Sequence, residues 1–157
     1  MDIDAIARAL HVLAVVHWIG GLSFVTLVVL PSVNRHPIES ERPAMFEAME
    51  RSFAPQAKLS VLTAGLTGFF LVWRHDLWDR FLEAGMWWMH GMVAIWAIFT
   101  FVLFVAEPLV LHRWFAVRAA RAPGATMRLV ARAHAVLLAL SVAATAAAVL
   151  GAHGALY

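Results

Sequence analysis

The sequence has no cysteine, a single tyrosine and few charged residues. Without cysteine the chain can form no disulfide, no thiolate-bound zinc site, no cysteine-ligated iron–sulfur cluster and no covalent Cys-x-x-Cys-His haem attachment. Charged residues make up 14% of the chain, whereas about a quarter is usual in soluble domains. No run of Lys and Arg is interleaved with aromatic residues, so the sequence does not indicate a nucleic-acid partner.

What the chain has instead is hydrophobic sequence in long runs. Hydrophobic residues make up 62% of its 157 residues, and the mean hydropathy is +0.77. A helix needs about 20 apolar residues to cross a bilayer, and four stretches approach or exceed that length. They predict one all-α domain over residues 1–157, an integral membrane four-helix bundle with helices at about residues 6–30, 59–73, 86–111 and 129–152.

The first two predicted helices are joined by a polar segment, residues 31–58. Pro31 is expected to end the first helix, because a proline inside a helix removes a hydrogen bond and clashes with the preceding turn. Pro43 is a suitable first-turn residue, so this loop is expected to carry a short surface helix.

The distribution of basic residues predicts the orientation in the membrane. One side holds three of them, and the other holds nine. The positive-inside rule places the nine in the cytoplasm and both termini on the periplasmic side of a bacterial inner membrane. The three are Arg8, Arg74 and Arg80; the nine are Arg35, Arg42, Arg51, Lys58, Arg113, Arg118, Arg121, Arg128 and Arg132. Tryptophans expected to form an aromatic belt at the outer interface are Trp73, Trp78, Trp87 and Trp88.

Histidines lie inside the apolar stretches: His11 and His17 in the first, His90 in the third and His134 in the fourth. An imidazole in lipid has to be paired, ligated or turned toward a polar cavity, because an unsatisfied polar group there costs several kcal/mol. Ionisable residues at membrane depth are functional-site candidates. The alternative is that each one only donates a hydrogen bond between helices.

Depth along the helices favours one pairing of these histidines. At a rise of about 1.5 Å per residue, His11 and His90 lie about 7 Å and 6 Å inside the outer ends of their helices. Imidazoles from two facing helices can ligate both sides of a haem b iron. His153, at the outer end of the fourth helix, is a rival ligand.

A second haem is compatible with the other two histidines. His17 follows His11 by six residues, which puts the two about 120° apart around the helix. His17 is therefore expected to serve a separate site, with His134 as its nearest partner despite a depth difference of about 10 Å. Gly20 and Gly21 would let a flat macrocycle, or simply another helix, approach closely.

Two other features suggest alternative chemistry. Met86, Met89 and Met92 recur every three residues around His90, and thioethers with an imidazole suit Cu(I). Methionines also fill apolar gaps in helix bundles. Glu107, followed by the kinking Pro108, is expected to relay protons or to pair with an arginine such as Arg113 or Arg132.

Two segments resemble a known family. In the stretch from Leu10 to Gly21, His11 precedes a Trp18-x-Gly20 motif by about two turns, as in CopD-like and HemJ-like membrane proteins. Trp88-Met89-His90-Gly91-Met92 resembles the Trp-x-His-x-Lys segment of HemJ-type protoporphyrinogen oxidases. The resemblance implies a four-helix membrane protein that binds haem b through His11 and His90. Met92 stands where that pattern has lysine, a departure that weighs against protoporphyrinogen oxidation.

The function expected from these observations is that of a b-type membrane cytochrome, carrying electrons between quinol or a periplasmic redox partner and an acceptor. The alternatives are a copper-binding or copper-transport protein of CopD type, a HemJ-like protoporphyrinogen oxidase, or a structural subunit whose histidines only bridge helices. No convincing general acid or base stands out, so enzymatic activity stays open; an enzyme of this kind would be a membrane-bound oxidoreductase. Membrane lipid is an expected partner, and a homodimer is compatible with the sequence.

Overall fold

Residues 2–156 are described by the computed structural model, and all of their regular secondary structure is helical. The first helix begins after Asp2, whose carboxylate accepts a hydrogen bond from the Asp4 backbone N–H (3.0 Å) and caps the first turn. The α-helices are α1 (Ile3–Phe24), α2 (Leu30–Asn34), α3 (Arg42–Arg74), α4 (Trp87–Phe101), α5 (His112–Arg121) and α6 (Pro123–Ala152).

Three helical runs among these residues are long and apolar enough to cross a membrane: Ile3–Asn34, Ala84–Arg121 and Pro123–Ala152. They contain the first, third and fourth predicted spans. The predicted all-helical fold is confirmed, and three of the four predicted spans lie in helices long and apolar enough to cross a membrane. The second predicted span, residues 59–73, lies in the last half of α3, whose first half carries charged residues.

The structure differs from the sequence prediction at Pro31, which does not end the first helix. A π-helical turn, Val25–Val29, precedes it, and α2 then continues the same run with Pro31 in its first turn. The wider π turn removes the regular i to i−4 pairing at the point where a proline would clash with it.

The predicted short surface helix is also longer in the structure. Pro43 does occupy the first turn of a helix, but that helix, α3, runs on for 33 residues and includes the second predicted span. Pro55 lies inside α3 on an exposed face without ending it. On the third run, a π-helical stretch at Val102–Leu111 contains Pro108, where the sequence predicted a kink.

The long helices form a bundle: α1 packs on α3 and α6, α4 packs on α3 and α6, and α3 also contacts α6. The diagonal helices α1 and α4 meet at the centre, where the rings of Trp18 and Phe99 lie edge to face with centroids 4.8 Å apart. Leu22 and Val61 complete this buried cluster. Its contacts hold all four long helices around one axis.

The bundle has two distinct ends. One end, called the terminal end here, contains the start of α1, the end of α6 and the loop between α3 and α4. Trp88 of α4 contacts Gly151 of α6 at this end. At the far end, a second buried cluster includes Leu30, Phe46, Phe115 and Met127. The start of α1 and the end of α6 therefore lie at the same end of the bundle.

Glycines receive large aromatic side chains from neighbouring helices. Trp96 lies against Gly65, Phe53 against Gly21 and Trp88 against Gly151. Trp88, expected at the interface belt, is thus buried, whereas Trp73, Trp78 and Trp87 are exposed. Gly65, in the second predicted span, is used for close packing.

We predict that Gly65→Ala destabilises the protein. An added Cβ would stand 2.5 Å from the Trp96 ring, and that ring is held by its Nε1–H donating to the Val61 carbonyl (2.9 Å). Displacing it should cost about 1–3 kcal/mol of unfolding free energy, measured by denaturation in detergent micelles. Gly20→Ala is the matched control, since nothing lies within 4 Å of its Cβ position; equal losses in both variants would contradict the packing described.

Candidate functional site

His11 is the candidate ligand that the structure holds most firmly. It is half-buried where α1 packs against α3, and its Nδ1–H donates to the Ala64 carbonyl (2.9 Å) and toward the Thr67 hydroxyl oxygen (3.1 Å). Thr67 gives its own hydroxyl proton to the Thr63 carbonyl (2.6 Å), so it can only accept from His11. With both neighbours acting as acceptors, the proton of the neutral ring resides on Nδ1.

That arrangement leaves Nε2 as the lone-pair nitrogen of His11. A carbonyl on Nδ1–H with a free Nε2 is the usual support of a metal-ligating imidazole, because it sets both tautomer and ring orientation. Gly68 lies against the ring: a Cβ at this position would be 3.1 Å from the His11 Cε1 atom. The absent side chain thus makes room for the imidazole.

The structure does not bring His90 to His11. Trp88 and Met89 are buried, whereas His90 is exposed and its ring lies edge to face with Phe81, centroids 5.4 Å apart. His90 follows Trp88 by about 200° around the helix, so it stands on the side of α4 away from the bundle interior. The two histidines expected to face each other across one iron therefore point to different surroundings.

His17 and His134 lie at different levels of the bundle. His17 is exposed on α1, one turn from Gly21, and Gly21 packs on Phe53. His134 is half-buried, donates its Nδ1–H to the Val130 carbonyl (3.0 Å) and lies edge to face with Phe46. Because Gly21 packs on Phe53, His17 lies beside the turn of α3 that follows Phe53. That turn is about 16 Å along α3 from Phe46, the residue that His134 contacts. The structure does not join them.

The remaining candidate ligands are dispersed. His153, the rival for the haem iron, is exposed at the end of α6 and donates its Nδ1–H to the Val149 carbonyl (2.8 Å). Of the methionines in the copper alternative, Met89 is buried, and Met86 and Met92 are half-buried. Because His90 is exposed, it does not share the buried face of α4 with Met89.

These placements differ in how well they fit a bare metal ion and a metalloporphyrin. Among residues 2–156, no three His, Asp or Glu side chains come together as a set for a bare metal ion. A haem needs fewer protein ligands than a bare ion, because the porphyrin supplies four iron ligands and one imidazole suffices for attachment. His11 fits that role, whereas His90 does not fit as its partner from across the interior.

Two buried donors mark further unsatisfied positions. The indole N–H groups of Trp18 and Trp88 are buried with no acceptor among the described residues. Trp18 is on the same face of α1 as His11, about two turns deeper. An unpaired buried donor is costly, so a bound group with an acceptor would be stabilised near either indole.

Glu107 pairs with a residue that sequence reasoning did not select. The expected partners were Arg113 and Arg132, but the Lys58 ammonium donates to the Glu107 carboxylate at 2.7 Å. Lys58 lies on α3. A single lysine at the start of an apolar run can indicate a buried ion pair, but the sequence analysis did not use it in this way. The ion pair ties α3 to the π-helical stretch beside Pro108.

We predict that Lys58 and Glu107 are energetically coupled. Removing one partner leaves the other charge unpaired, so Lys58→Met or Glu107→Gln alone should cost about 1–3 kcal/mol of unfolding free energy. The double variant should lose less than the sum. Chemical denaturation in micelles measures the cycle, with Lys58→Met and Glu41→Gln as a non-contacting control pair; additivity in both cycles would refute the coupling.

Glu50 lies near this pair on the first half of α3 and has a perturbed acidity. Desolvation raises the pKa of the Glu50 carboxyl above its ordinary value; the negative charges of Glu107 and Glu47 raise it further, and His112 and Lys58 oppose them. The folded state therefore favours the protonated form. The stability this confers is present in acid and is lost as the pH rises through the raised pKa.

We predict that Glu50→Gln stabilises the protein at neutral pH and has no effect in acid. The amide stays neutral, so it avoids the cost of the carboxylate that the folded state disfavours. Unfolding measured in micelles between about pH 4 and pH 7 should show the difference growing with pH. The control Glu83→Gln, exposed like Glu50 but in the loop before α4, should leave the pH profile unchanged; a matching effect there would argue against the local cause.

At the terminal end, a polar cluster joins the start of α1 to the end of α3. The Asp4 carboxylate lies 3.7 Å from Arg74 Nε and 3.4 Å from His75 Nε2. A cavity of about 500 Å³ nearby is lined by Arg8, His75 and Arg80, with two leucines. This cluster sets the register of α1 on α3, and no candidate haem histidine lines the cavity.

Comparisons of the chain with protein-family models, with curated proteins and with solved structures found no match. Its function therefore has to be argued from the geometry of its own residues.

Proposed function

We propose that the protein is an integral-membrane b-type haem protein in which the His11 imidazole would ligate the iron. The hydrogen bond from His11 Nδ1–H to the Ala64 carbonyl carries this proposal, because it leaves Nε2 free as a ligand nitrogen. When bound, the iron porphyrin would supply one-electron redox chemistry, with a quinol or a redox protein as the electron partner.

The residues around His11 would each have a defined part. The Ala64 carbonyl and the Thr67 hydroxyl oxygen accept hydrogen bonds from His11 Nδ1–H. These bonds would orient the imidazole and make Nε2 a better electron donor to a metal. Gly68 gives the ring room. The apolar lining contributed by α1 and α3 would exclude water and keep the ring neutral. The proposal covers one haem, with no second axial ligand assigned within this chain.

The proposal includes four membrane spans, with α3 supplying the fourth. α3 contacts α1 from Phe53 at Gly21, through Thr67 at His11, to Arg74 at Asp4. Because those contacts follow nearly the whole of the first apolar run, a membrane that surrounds α1 would surround this part of α3 too. The nine-to-three division of basic residues supports both termini on the periplasmic side of a bacterial inner membrane.

A structural role is the second candidate, and one observation favours it. His11 already bridges two helices through the Ala64 carbonyl, which satisfies the imidazole without any cofactor. In that case the protein would be a colourless helical subunit. The two candidates differ in pigment and in what an added imidazole can restore.

We predict that protein purified in detergent from haem-replete cells has a Soret band that shifts on reduction, and that His11→Gly loses it. Added imidazole should restore the band, because it can replace the missing iron ligand. A histidine that only bridges helices would not respond in this way. Absorption spectroscopy and haem content per chain provide the measurement.

Two further variants sharpen this test. Thr67→Val keeps His11 but removes one acceptor, so haem affinity should fall by about tenfold while the band position persists. His112→Ala, at an exposed position outside the His11 site, is the matched control and should retain full haem. A colourless wild-type protein, or full haem in His11→Gly, would overturn the proposal.

A further inference from the structure

The outward face of α5 carries a groove that the haem proposal does not use. Its volume is about 640 Å³, and it runs along the helix from Leu109 to Ala122. Phe115 and Ala119, on the opposite face of α5, are buried in the far-end cluster. The groove residues are therefore turned away from the bundle, to the surroundings of the protein.

Three arginines line this groove: Arg113, Arg118 and Arg121. No acidic residue lines it, and none of the three forms an ion pair among residues 2–156. Three adjacent cations without a counter-charge attract an anion, and a planar guanidinium matches the geometry of phosphate oxygens.

The Arg118 side chain is directed toward the apolar part of the helix. In an α-helix, Cα–Cβ bonds tilt toward the N-terminus, which here is the direction of the apolar run that ends near Leu111. The Arg118 guanidinium lies over the Trp114 ring, 5.6 Å from its centroid, one turn back. The stacking holds at least this charge near the level where the apolar run ends.

The groove also has an apolar wall. Leu109, Val110 and Val117 line it beside the arginines, and all three are exposed. A free phosphate ion would make no favourable contact with this apolar wall, whereas the acyl chain of a phospholipid would cover it. A helix crosses the bilayer in about 20 residues, which brings this part of the run Ala84–Arg121 to the headgroup region.

We propose that this groove binds the headgroup of an anionic phospholipid, with the phosphate held by Arg113, Arg118 and Arg121 and an acyl chain along Leu109 and Val110. Basic pockets at the ends of membrane helices recognise such headgroups by charge. The site does not depend on haem binding, since none of its residues contacts His11.

The experiment measures phospholipid retention by the full-length protein in detergent, using native mass spectrometry. Phosphatidylglycerol is compared with phosphatidylcholine of the same acyl chains, and inorganic phosphate is added as a competitor. Wild-type protein should retain phosphatidylglycerol preferentially, and inorganic phosphate should not displace it. Equal retention of both lipids, or displacement by inorganic phosphate at matched concentration, would overturn the proposal.

The decisive variant is Arg113→Gln/Arg118→Gln/Arg121→Gln. At about fivefold in affinity for each basic residue near an anionic headgroup, it should weaken phosphatidylglycerol binding by about a hundredfold. The matched control, Arg35→Gln/Arg128→Gln/Arg132→Gln, removes the same charge from exposed positions elsewhere on the protein. Equal loss in both triple variants would overturn the site in favour of general charge attraction.

Single variants keep the test decisive if the triple variant does not fold. Arg118→Gln should lower phosphatidylglycerol retention by about fivefold, and Val110→Ser should lower it while leaving inorganic phosphate binding unchanged. Thermal unfolding of each variant reports whether the fold is intact. Unchanged retention in both folded single variants would refute the groove.

Discussion

The packing of α1 against α3 positions the other helices of the bundle. It is the longest helix pairing in the bundle, and its polar centre is the hydrogen bond from His11 to the Ala64 carbonyl. In a membrane no water can satisfy an imidazole, so this bond restricts how α1 can slide or rotate against α3. The Asp4 contacts with Arg74 and His75 set the same register at the terminal end.

The other contacts follow from the small residues that let helices come close. Trp96 reaches Gly65 of α3 and donates to the Val61 carbonyl, which ties α4 to the helix that already holds His11. Trp88 reaches Gly151 and ties α4 to α6. With little difference in hydrophobicity between lipid and helix surfaces, close packing and interhelical hydrogen bonds are what hold such a bundle together. The candidate site thus lies among the contacts that hold the helices together, because His11 also positions α1 against α3.

Much of the fold was predictable, and the differences have local causes. Three of the apolar runs were identified from their length and hydrophobic composition. The position of Pro43 in the first turn of α3 followed from its fixed φ angle. Pro31 was expected to end a helix and does not, because the preceding π turn accommodates it. The joining of the surface helix to the second span was missed, since the charged residues before Lys58 resemble a loop in composition.

The candidate site was predictable as residue types but not as an arrangement. Helix rise put His11 and His90 at similar depths, and that estimate says nothing about which way each side chain faces. Trp88 and Phe99 turn one face of α4 inward, and His90 is left on the opposite face. Thr67 and Gly68 gave no signal alone, because a threonine and a glycine in an apolar helix have many uses.

The amino-acid sequence alone was enough to predict an apolar helical chain with histidines inside its hydrophobic runs. Long hydrophobic runs can satisfy their backbone groups in lipid only as helices or closed barrels, and their length favours helices. Which histidine reaches a carbonyl on a neighbouring helix and which faces outward became clear only from the packed bundle. That choice depends on how each helix is rotated about its axis, and the rotation is set by the side chains of its neighbours.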